Sequence, residues 1–81
     1  MHLMPIHVES YAGYKADETP RRFQADGLWI EVEEVLDRWY QIDSQPEWPR
    51  ANYFKVRAAD QREYLLKHDQ ELNHWFLCRR R

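Results

Sequence analysis

The chain has 81 residues, of which 43% are hydrophobic, 32% charged and 15% aromatic. This length lies below the usual ~100–150 residues of one domain, so we expect a single domain over residues 1–81 and exclude a second one. The net charge of −2 differs from the strongly basic balance of a general nucleic-acid binder. Twelve aromatic side chains supply apolar area for a small core.

Charge and cysteine content narrow the class of protein further. Residues 1–40 carry four Lys or Arg and eight Asp or Glu (net −4), whereas residues 41–81 carry eight and six (net +2). The single cysteine, Cys78, has no partner for an internal disulfide, which favours a reducing compartment. The first residues lack the pattern of a signal peptide, and no apolar run approaches the ~20 residues of a membrane span. We therefore expect a cytoplasmic protein without a membrane segment.

The first third of the chain predicts two strands. Ile6 and Val8 alternate with polar residues, which is typical of a strand with one buried face. Residues 12–20 contain Gly, Asp, Thr and Pro and are predicted to form a loop. Residues 21–26 fit a short strand with Phe23 pointing inward. The dipeptide Asp26-Gly27 then indicates a tight hairpin turn.

Residues 28–40 fit two periodicities. A helical stripe would consist of Leu28, Val32, Val35, Leu36 and Trp39. A strand would bury Leu28, Ile30 and Val32, provided that a bulge at Glu33-Glu34 resets the phase. The β-branched and aromatic content and the preceding Asp-Gly turn favour the strand. The helix stays open as an alternative.

The second half of the chain predicts a polar loop followed by three strands. Residues 41–50 include two prolines and read as the loop. The predicted strands span residues 51–58, 63–68 and 72–79, with turns at 59–62 and 69–71. The last strand is apolar on both faces, which is typical of a central strand. Six strand candidates in all predict an all-β antiparallel meander that curls into a small, partly open barrel of SH3-like size.

Two stretches resemble a known family. Residues 10–21 (SYAGYKADETPR) and 30–39 (IEVEEVLDRW), with 53–56 (YFKV) and 64–66 (YLL), are similar to small uncharacterised bacterial proteins of about this length. The resemblance covers most of residues 6–77. It implies a bacterial source, an all-β domain and a link to proteins of translesion DNA synthesis, to which similar domains are attached. It implies no activity and no catalytic residues.

Catalytic and metal sites find little support in the sequence. Neither Ser10 nor Ser44 lies in a nucleophile elbow. Cys78 and His74 on one strand face would lie ~13 Å apart, too far for a Cys–His pair. His68 and His74 flank the last turn and would lie ~5 Å apart if they faced each other across the hairpin, but we favour exposed polar residues. The acidic residues of 31–37 are best explained as a solvated sheet face. We expect no enzyme, metal or cofactor.

Two surfaces remain as candidate binding sites. The first combines Tyr11, Tyr14 and Lys15 with Trp48, because Tyr and Trp are favoured protein-contact residues. Trp48 lies between two prolines and is either an exposed docking residue or a lid over one end of the barrel. The second is a nucleic-acid face in which aromatic and basic side chains share strand positions. Its members are Tyr53, Lys55, Arg57, Arg62 and Arg79.

The sequence therefore supports two functional hypotheses. The first is a non-catalytic interaction module of unknown pathway that binds an unknown protein partner or associates with itself through open sheet edges. The alternative is a weak single-stranded nucleic-acid binding domain connected with DNA repair or translesion synthesis. A membrane partner is not expected.

Overall fold

The fold of the chain is all-β. The computed structural model describes residues 2–12, 18–41 and 51–79. The strands are β1 (His2–Ala12), β2 (Glu18–Ala25), β3 (Leu28–Gln41), β4 (Ala51–Ala58), β5 (Glu63–Asp69) and β6 (His74–Arg79). Each strand pairs antiparallel with the next, and β6 pairs with β1, so the six strands close a barrel. This confirms the predicted all-β meander. Within the described residues no helix is long and apolar enough to cross a membrane.

Two long strands, β1 and β3, form the corners of the barrel. Residues 2–6 of β1 pair with β6, whereas residues 7–12 pair with β2. Residues 28–31 of β3 pair with β2, whereas residues 32–41 pair with β4. A three-stranded sheet and a five-stranded sheet therefore share both corner strands, as in orthogonal sheet packing. At each corner the described ladders cover one edge of the strand at a time.

The ambiguous segment is the strand β3, not a helix. Its pairing with β4 shifts between Val32 and Glu34, which is the bulge that the sequence predicts. A second shift, between Val35 and Asp37, was not predicted. Each bulge adds one residue that has no partner on β4. Each bulge shifts the alternation of inward and outward side chains by one residue. The two bulges together keep both ends of this 14-residue strand in register with their neighbours.

The turns follow local backbone chemistry. Asp26 (φ 53°) and Gly27 (φ 79°) occupy the left-handed region and join β2 directly to β3, which confirms the predicted hairpin. In the β5–β6 turn Asn73 has φ 53°. This conformation ends the turn, so β6 begins at His74 and the prediction of a strand from Leu72 was wrong. The carboxylate of Asp69 accepts the backbone N–H groups of Glu71 and Leu72 at 3.0 and 3.3 Å.

The predicted loop over residues 12–20 was wrong at its end. β2 begins at Glu18, and Pro20 is a buried residue of the strand, opposite Ser10. The β1–β2 pairing shifts here and skips Arg21, which forms a bulge. A proline has no N–H to donate and is tolerated in a strand next to such an irregularity. Residues 13–17 lie outside the described part of the chain.

The core consists of inward side chains from all six strands. Its fully packed members are Phe23, Ala25, Phe54, Val56, Leu66, Trp75 and Leu77. The ring of Phe23 meets the ring of Tyr64 edge to face, at 5.1 Å between centroids, and Phe54 contacts Trp75 at 5.5 Å. Burying each large side chain stabilises the fold by about 1.5–3 kcal/mol. Strand β6 pairs with β5 on one edge and with β1 on the other, and both of its faces carry buried or half-buried apolar residues.

Candidate functional site

The exposed apolar side chains are concentrated on one strand. Seven large apolar side chains are exposed in the described residues, and five of them lie on β3. We call these five the β3 surface: Leu28, Trp29, Leu36, Trp39 and Tyr40. Leu28 and Trp29 lie at the hairpin end of the strand and the other three at its far end. The five residues therefore form two groups, and exposed apolar groups of this kind are typical of contact sites.

The far end of the β3 surface includes an aromatic stack. Trp39 and Tyr53 are cross-strand partners on β3 and β4. Their rings lie 5.5 Å apart, with planes inclined by 7°. One residue earlier, the guanidinium of Arg38 lies 4.9 Å from the ring centroid of the core residue Phe54. The stack fixes the position of Trp39, whose side chain keeps part of its surface in solvent.

The predicted nucleic-acid face is partly assembled, but most of its cations have acidic partners. Tyr53, Lys55 and Arg57 alternate with the buried residues of β4 and share its outer face, as predicted. The ammonium of Lys55 lies 3.4 Å from the carboxylate of Glu63. The guanidinium of Arg57 lies 2.5 Å from the carboxylate of Glu34.

The other two predicted cations lie at one end of the barrel. Arg79, at the end of β6, donates to Asp26 in the β2–β3 turn at 3.0 Å. Arg62, in the β4–β5 turn, is exposed, and its backbone N–H donates to Asp60. Three of the four predicted cations are therefore engaged by carboxylates. Phosphate would have to compete with those carboxylates for the same side chains.

Of the predicted protein-binding residues, the structure places one. Tyr11 lies near the end of β1 and is 60% exposed. Tyr14, Lys15 and Trp48 lie outside the described residues, so the predicted grouping around them stays a prediction.

The acidic residues of β3 have local partners. Glu31 lies 3.8 Å from Arg22, and Glu34 binds Arg57. Glu33 accepts from the side-chain amide of Gln61 at 3.1 Å, and Asp37 accepts the backbone N–H of Arg38 at 2.8 Å. These contacts hold neighbouring strands and turns together. They support the interpretation of these carboxylates as a solvated sheet face.

The two histidines at the last turn do not face each other. His68 pairs with Trp75, whereas His74 pairs with Asp69, so the two imidazoles lie on opposite faces of the ladder. The approach of the two side chains across the turn, which was the alternative, does not occur because the four-residue turn sets a different register. The favoured prediction of exposed polar residues holds for His74 and was wrong for His68. His68 is buried, stacks on Trp75 with 4.1 Å between ring centroids, and bonds Asn73 at 3.0 Å. No group of three potential metal ligands converges among the described residues.

Cys78 is not set up for nucleophilic chemistry. The thiol is buried, and this burial raises its pKa above the ordinary value for cysteine. A higher pKa leaves less thiolate at neutral pH, and the thiolate is the reactive form. We interpret Cys78 as a packing residue.

A cavity of about 1340 Å³, open to solvent, begins at one end of the barrel and also includes the outer-face residues Trp39 and Lys55. Its walls include the inward side chains Leu28, Ile30, Tyr64 and Leu77. The hydroxyl of Tyr64 donates to Asp60 at 2.7 Å. This bond is the main cause that lowers the pKa of Asp60. Burial, followed by the contact with Asp60, raises the pKa of Tyr64.

Sequence reasoning missed this end of the barrel as a candidate site. It assigned Leu28 to the core because Leu28 is in phase with Ile30 and Val32. Leu28 does point to the inner side of the sheet, but it is 69% exposed because no described strand covers it there. The signal was present in the sequence. The residue that follows a two-residue turn lies at the rim of a barrel, where burial is incomplete.

Comparison with known proteins adds no relative. No protein-family model, no curated protein and no solved structure matches this chain. The resemblance to small bacterial proteins therefore stays a prediction, and the functional argument depends on the geometry described above.

Proposed function

We propose that this chain is a non-catalytic interaction module that docks a protein partner on the β3 surface. One observation carries the proposal: five of the seven exposed large apolar side chains of the described residues lie on this single strand. Apolar area that the fold leaves in water is stabilised when a partner covers it, at about 25 cal/mol per Å² before the costs of association. Trp and Tyr are also the residues that most often dominate such contacts.

The charge on β3 indicates the chemistry of the partner. The strand carries four carboxylates, those of Glu31, Glu33, Glu34 and Asp37, against the single cation of Arg38. Arg22 and Arg57, on neighbouring strands, offset part of this charge. A partner segment with apolar and basic residues is complementary to this surface.

The alternative function, weak binding of single-stranded nucleic acid, has one favourable observation. Tyr53, Lys55 and Arg57 share the outer face of β4, and stacking on an exposed ring contributes ~1–3 kcal/mol per base. The carboxylates of Glu63 and Glu34 beside these cations weaken the case for phosphate binding. We therefore rank this function second, together with the link to DNA repair or translesion synthesis.

The proposed setting is the cytoplasm of a bacterium. The lone cysteine supports a reducing compartment, and the bacterial source depends on the sequence resemblance alone. Self-association is the competing use of the β3 surface. Light scattering distinguishes it, because a second copy on this surface raises the molar mass with concentration.

The test is a selection of extended peptides from a displayed random library against the purified chain. We expect enrichment of sequences that combine apolar and basic residues. Trp39→Ser and Leu28→Ser each remove apolar area from the β3 surface, so one of them should reduce capture of the enriched peptides. The matched control is Leu72→Ser, because Leu72 is 65% exposed in the β5–β6 turn, away from β3. Enrichment that is unchanged in both β3 variants contradicts the proposal.

A labelled single-stranded oligonucleotide tests the alternative. Its fluorescence anisotropy is measured with the chain at about 50 mM and about 200 mM salt, the range over which phosphate contacts lose affinity. Saturable binding at the lower salt, with no enriched peptide, would reverse the ranking of the two functions.

A further inference from the structure

The barrel has an unpaired stretch of strand edge at its open end. β3 pairs with β2 over residues 28–31, and its pairing with β4 begins only at Val32. The last bond on the β4 side runs from the N–H of Ala59 to the carbonyl of Glu31, at 2.9 Å. Beyond that bond, β4 turns away into residues 59–62. For Trp29 the described ladders provide a neighbour on the β2 side alone.

The register fixes the direction in which the backbone of Trp29 points. The two-residue turn makes Ala25 and Leu28 a hydrogen-bonded pair, so the next pair, Gln24 and Trp29, is not hydrogen-bonded. The N–H and carbonyl of Trp29 therefore point away from β2. The carbonyl of Glu31, two residues later, points the same way and reaches Ala59, which supports this assignment. Trp29 thus presents one donor and one acceptor at an open edge.

The apolar cavity lies beside this edge. Leu28 and Ile30, the neighbours of Trp29, face the inner side of the sheet and line the cavity with Tyr64 and Leu77. An extended chain that pairs with Trp29 would place its residues on either side of that pair toward Leu28 and Ile30, because strand side chains alternate between faces. Its central residue would lie on the outer side, next to the ring of Trp29.

The outer side of the sheet at Trp29 already holds a cation. The guanidinium of Arg22 lies 4.7 Å from the centroid of the Trp29 ring and 3.8 Å from the carboxylate of Glu31. At the rim, Arg79 is paired with Asp26, and Lys55 with Glu63. These charges balance, so the outer side at Trp29 is complementary to an uncharged polar residue at the centre of the incoming segment.

We propose that the open end of the barrel binds an extended peptide segment as an added strand opposite Trp29. The segment has an uncharged polar residue at its centre and an apolar residue on each side. Main-chain bonds to Trp29 give the affinity, and the cavity beside Leu28 and Ile30 selects the apolar residues. This inference rests on the proposed function and names the position and the partner class within the β3 surface.

The experiment uses the full chain, labelled with ¹⁵N, and capped five-residue peptides. The test peptide has Gln at its centre, Val on either side and Thr at the ends. We expect it to shift the amide resonances of residues 28–31 and 59–64. Methylation of the backbone nitrogen of Gln removes the donor that faces Trp29 and should weaken binding about tenfold or more. Methylation of a Val nitrogen, whose N–H points away from β3, is the matched control.

A protein variant tests the cavity separately. Leu28→Ser removes an exposed apolar contact and should weaken binding several-fold, whereas Leu72→Ser should leave it unchanged. Amide spectra of both variants that match the wild type at all distant residues show that the fold is retained.

Each remaining outcome overturns the inference. Shifts centred on Trp39 and Tyr53 that are insensitive to Leu28→Ser would place the peptide elsewhere, while the interaction module would stand. Equal affinity of the two methylated peptides would exclude strand addition. Absence of shifts up to about 1 mM peptide would remove the site, and library selection then decides separately on the proposed function.

Discussion

Trp39 of β3 and Tyr53 of β4 stack in parallel across the ladder, 5.5 Å apart with planes at 7°, while Trp39 stays partly exposed. The pair joins the surface-bearing strand to the strand of the predicted nucleic-acid face. Each ring restricts the other, so the side chain of Trp39 is presented in one orientation. A preorganised aromatic side chain loses little entropy when a partner covers it.

The Trp39–Tyr53 stack should contribute measurably to stability. A double-mutant cycle with Trp39→Ala and Tyr53→Ala is expected to give a coupling free energy of about 0.5–1.5 kcal/mol. Urea unfolding of the four proteins measures it. Additive effects of the two substitutions would show that the rings do not interact in solution.

Leu66 should be among the residues most sensitive to truncation. It is fully buried between β4 and β6, so Leu66→Ala is expected to lower the free energy of unfolding by about 2–5 kcal/mol. The matched control is Leu72→Ala, in an exposed turn, with a change within about 0.5 kcal/mol. Urea unfolding compares the two, and similar losses would contradict the assigned core.

Substitutions at Gly27 test the effect of backbone strain without a change in side-chain packing. Its φ is 79°, and a Cβ added there meets no atom within 4 Å. Gly27→Ala should therefore destabilise the fold by about 1–2 kcal/mol through backbone strain alone. Gly27→Asn should cost less, because Asn tolerates the left-handed region. Thermal or urea unfolding measures both variants, and an Ala variant as stable as the wild type would rule out this turn.

The Tyr64–Asp60 hydrogen bond should be visible in a carboxylate titration. The hydroxyl of Tyr64 is the main cause of the lowered pKa of Asp60, so Tyr64→Phe should raise that pKa toward its ordinary value of ~3.9. A lowered native pKa means that the bond stabilises the fold above the unfolded pKa, and that this contribution is lost as pH falls through the native pKa.

Carboxyl ¹³C shifts followed against pH provide the readout for this titration. Glu9 is the internal control, because its pKa is lowered mainly by the hydrogen bond from Arg22 and should be the same in both proteins. If the pKa of Asp60 did not change in Tyr64→Phe, the hydrogen bond would be absent in solution.

The paired cations of β4 predict how nucleic-acid binding responds to mutation. Glu34→Gln and Glu63→Gln remove the carboxylates beside Arg57 and Lys55, so together they should strengthen oligonucleotide binding at low salt. Fluorescence anisotropy of a labelled single strand measures the change. Asp37→Asn on the same strand is the control for the loss of negative charge alone. An equal gain in the control would mean that the ion pairs do not limit binding.

Local signals in the sequence predicted the order of the strands and much of their orientation. Alternation placed Phe54 and Val56 inward, and the Asp26-Gly27 turn and the bulge at Glu33 followed from residue type and phase. These features depend on residues that are close together in the chain. They can therefore be predicted from a single sequence.

Features that depend on register between distant strands were not predictable. The bulge at Leu36 and the pairing of Arg57 with Glu34 arise only when β4 is aligned with β3. Arg79 meets Asp26 because the barrel closes, although the two are 53 positions apart in the chain. The open end beside Trp29 has the same origin, since it is the gap left where β3 exchanges one neighbouring strand for another.

The course of residues 28–41 is the claim on which both the fold and the proposed surface depend. Nuclear Overhauser contacts between Val35 and Val56, and between Trp39 and Tyr53, test it most directly. The structure predicts these cross-strand contacts together with strong sequential contacts along β3. A series of contacts between residues three apart over 28–40, as in a helix, would contradict the barrel. The five residues of the β3 surface would then not lie on one strand.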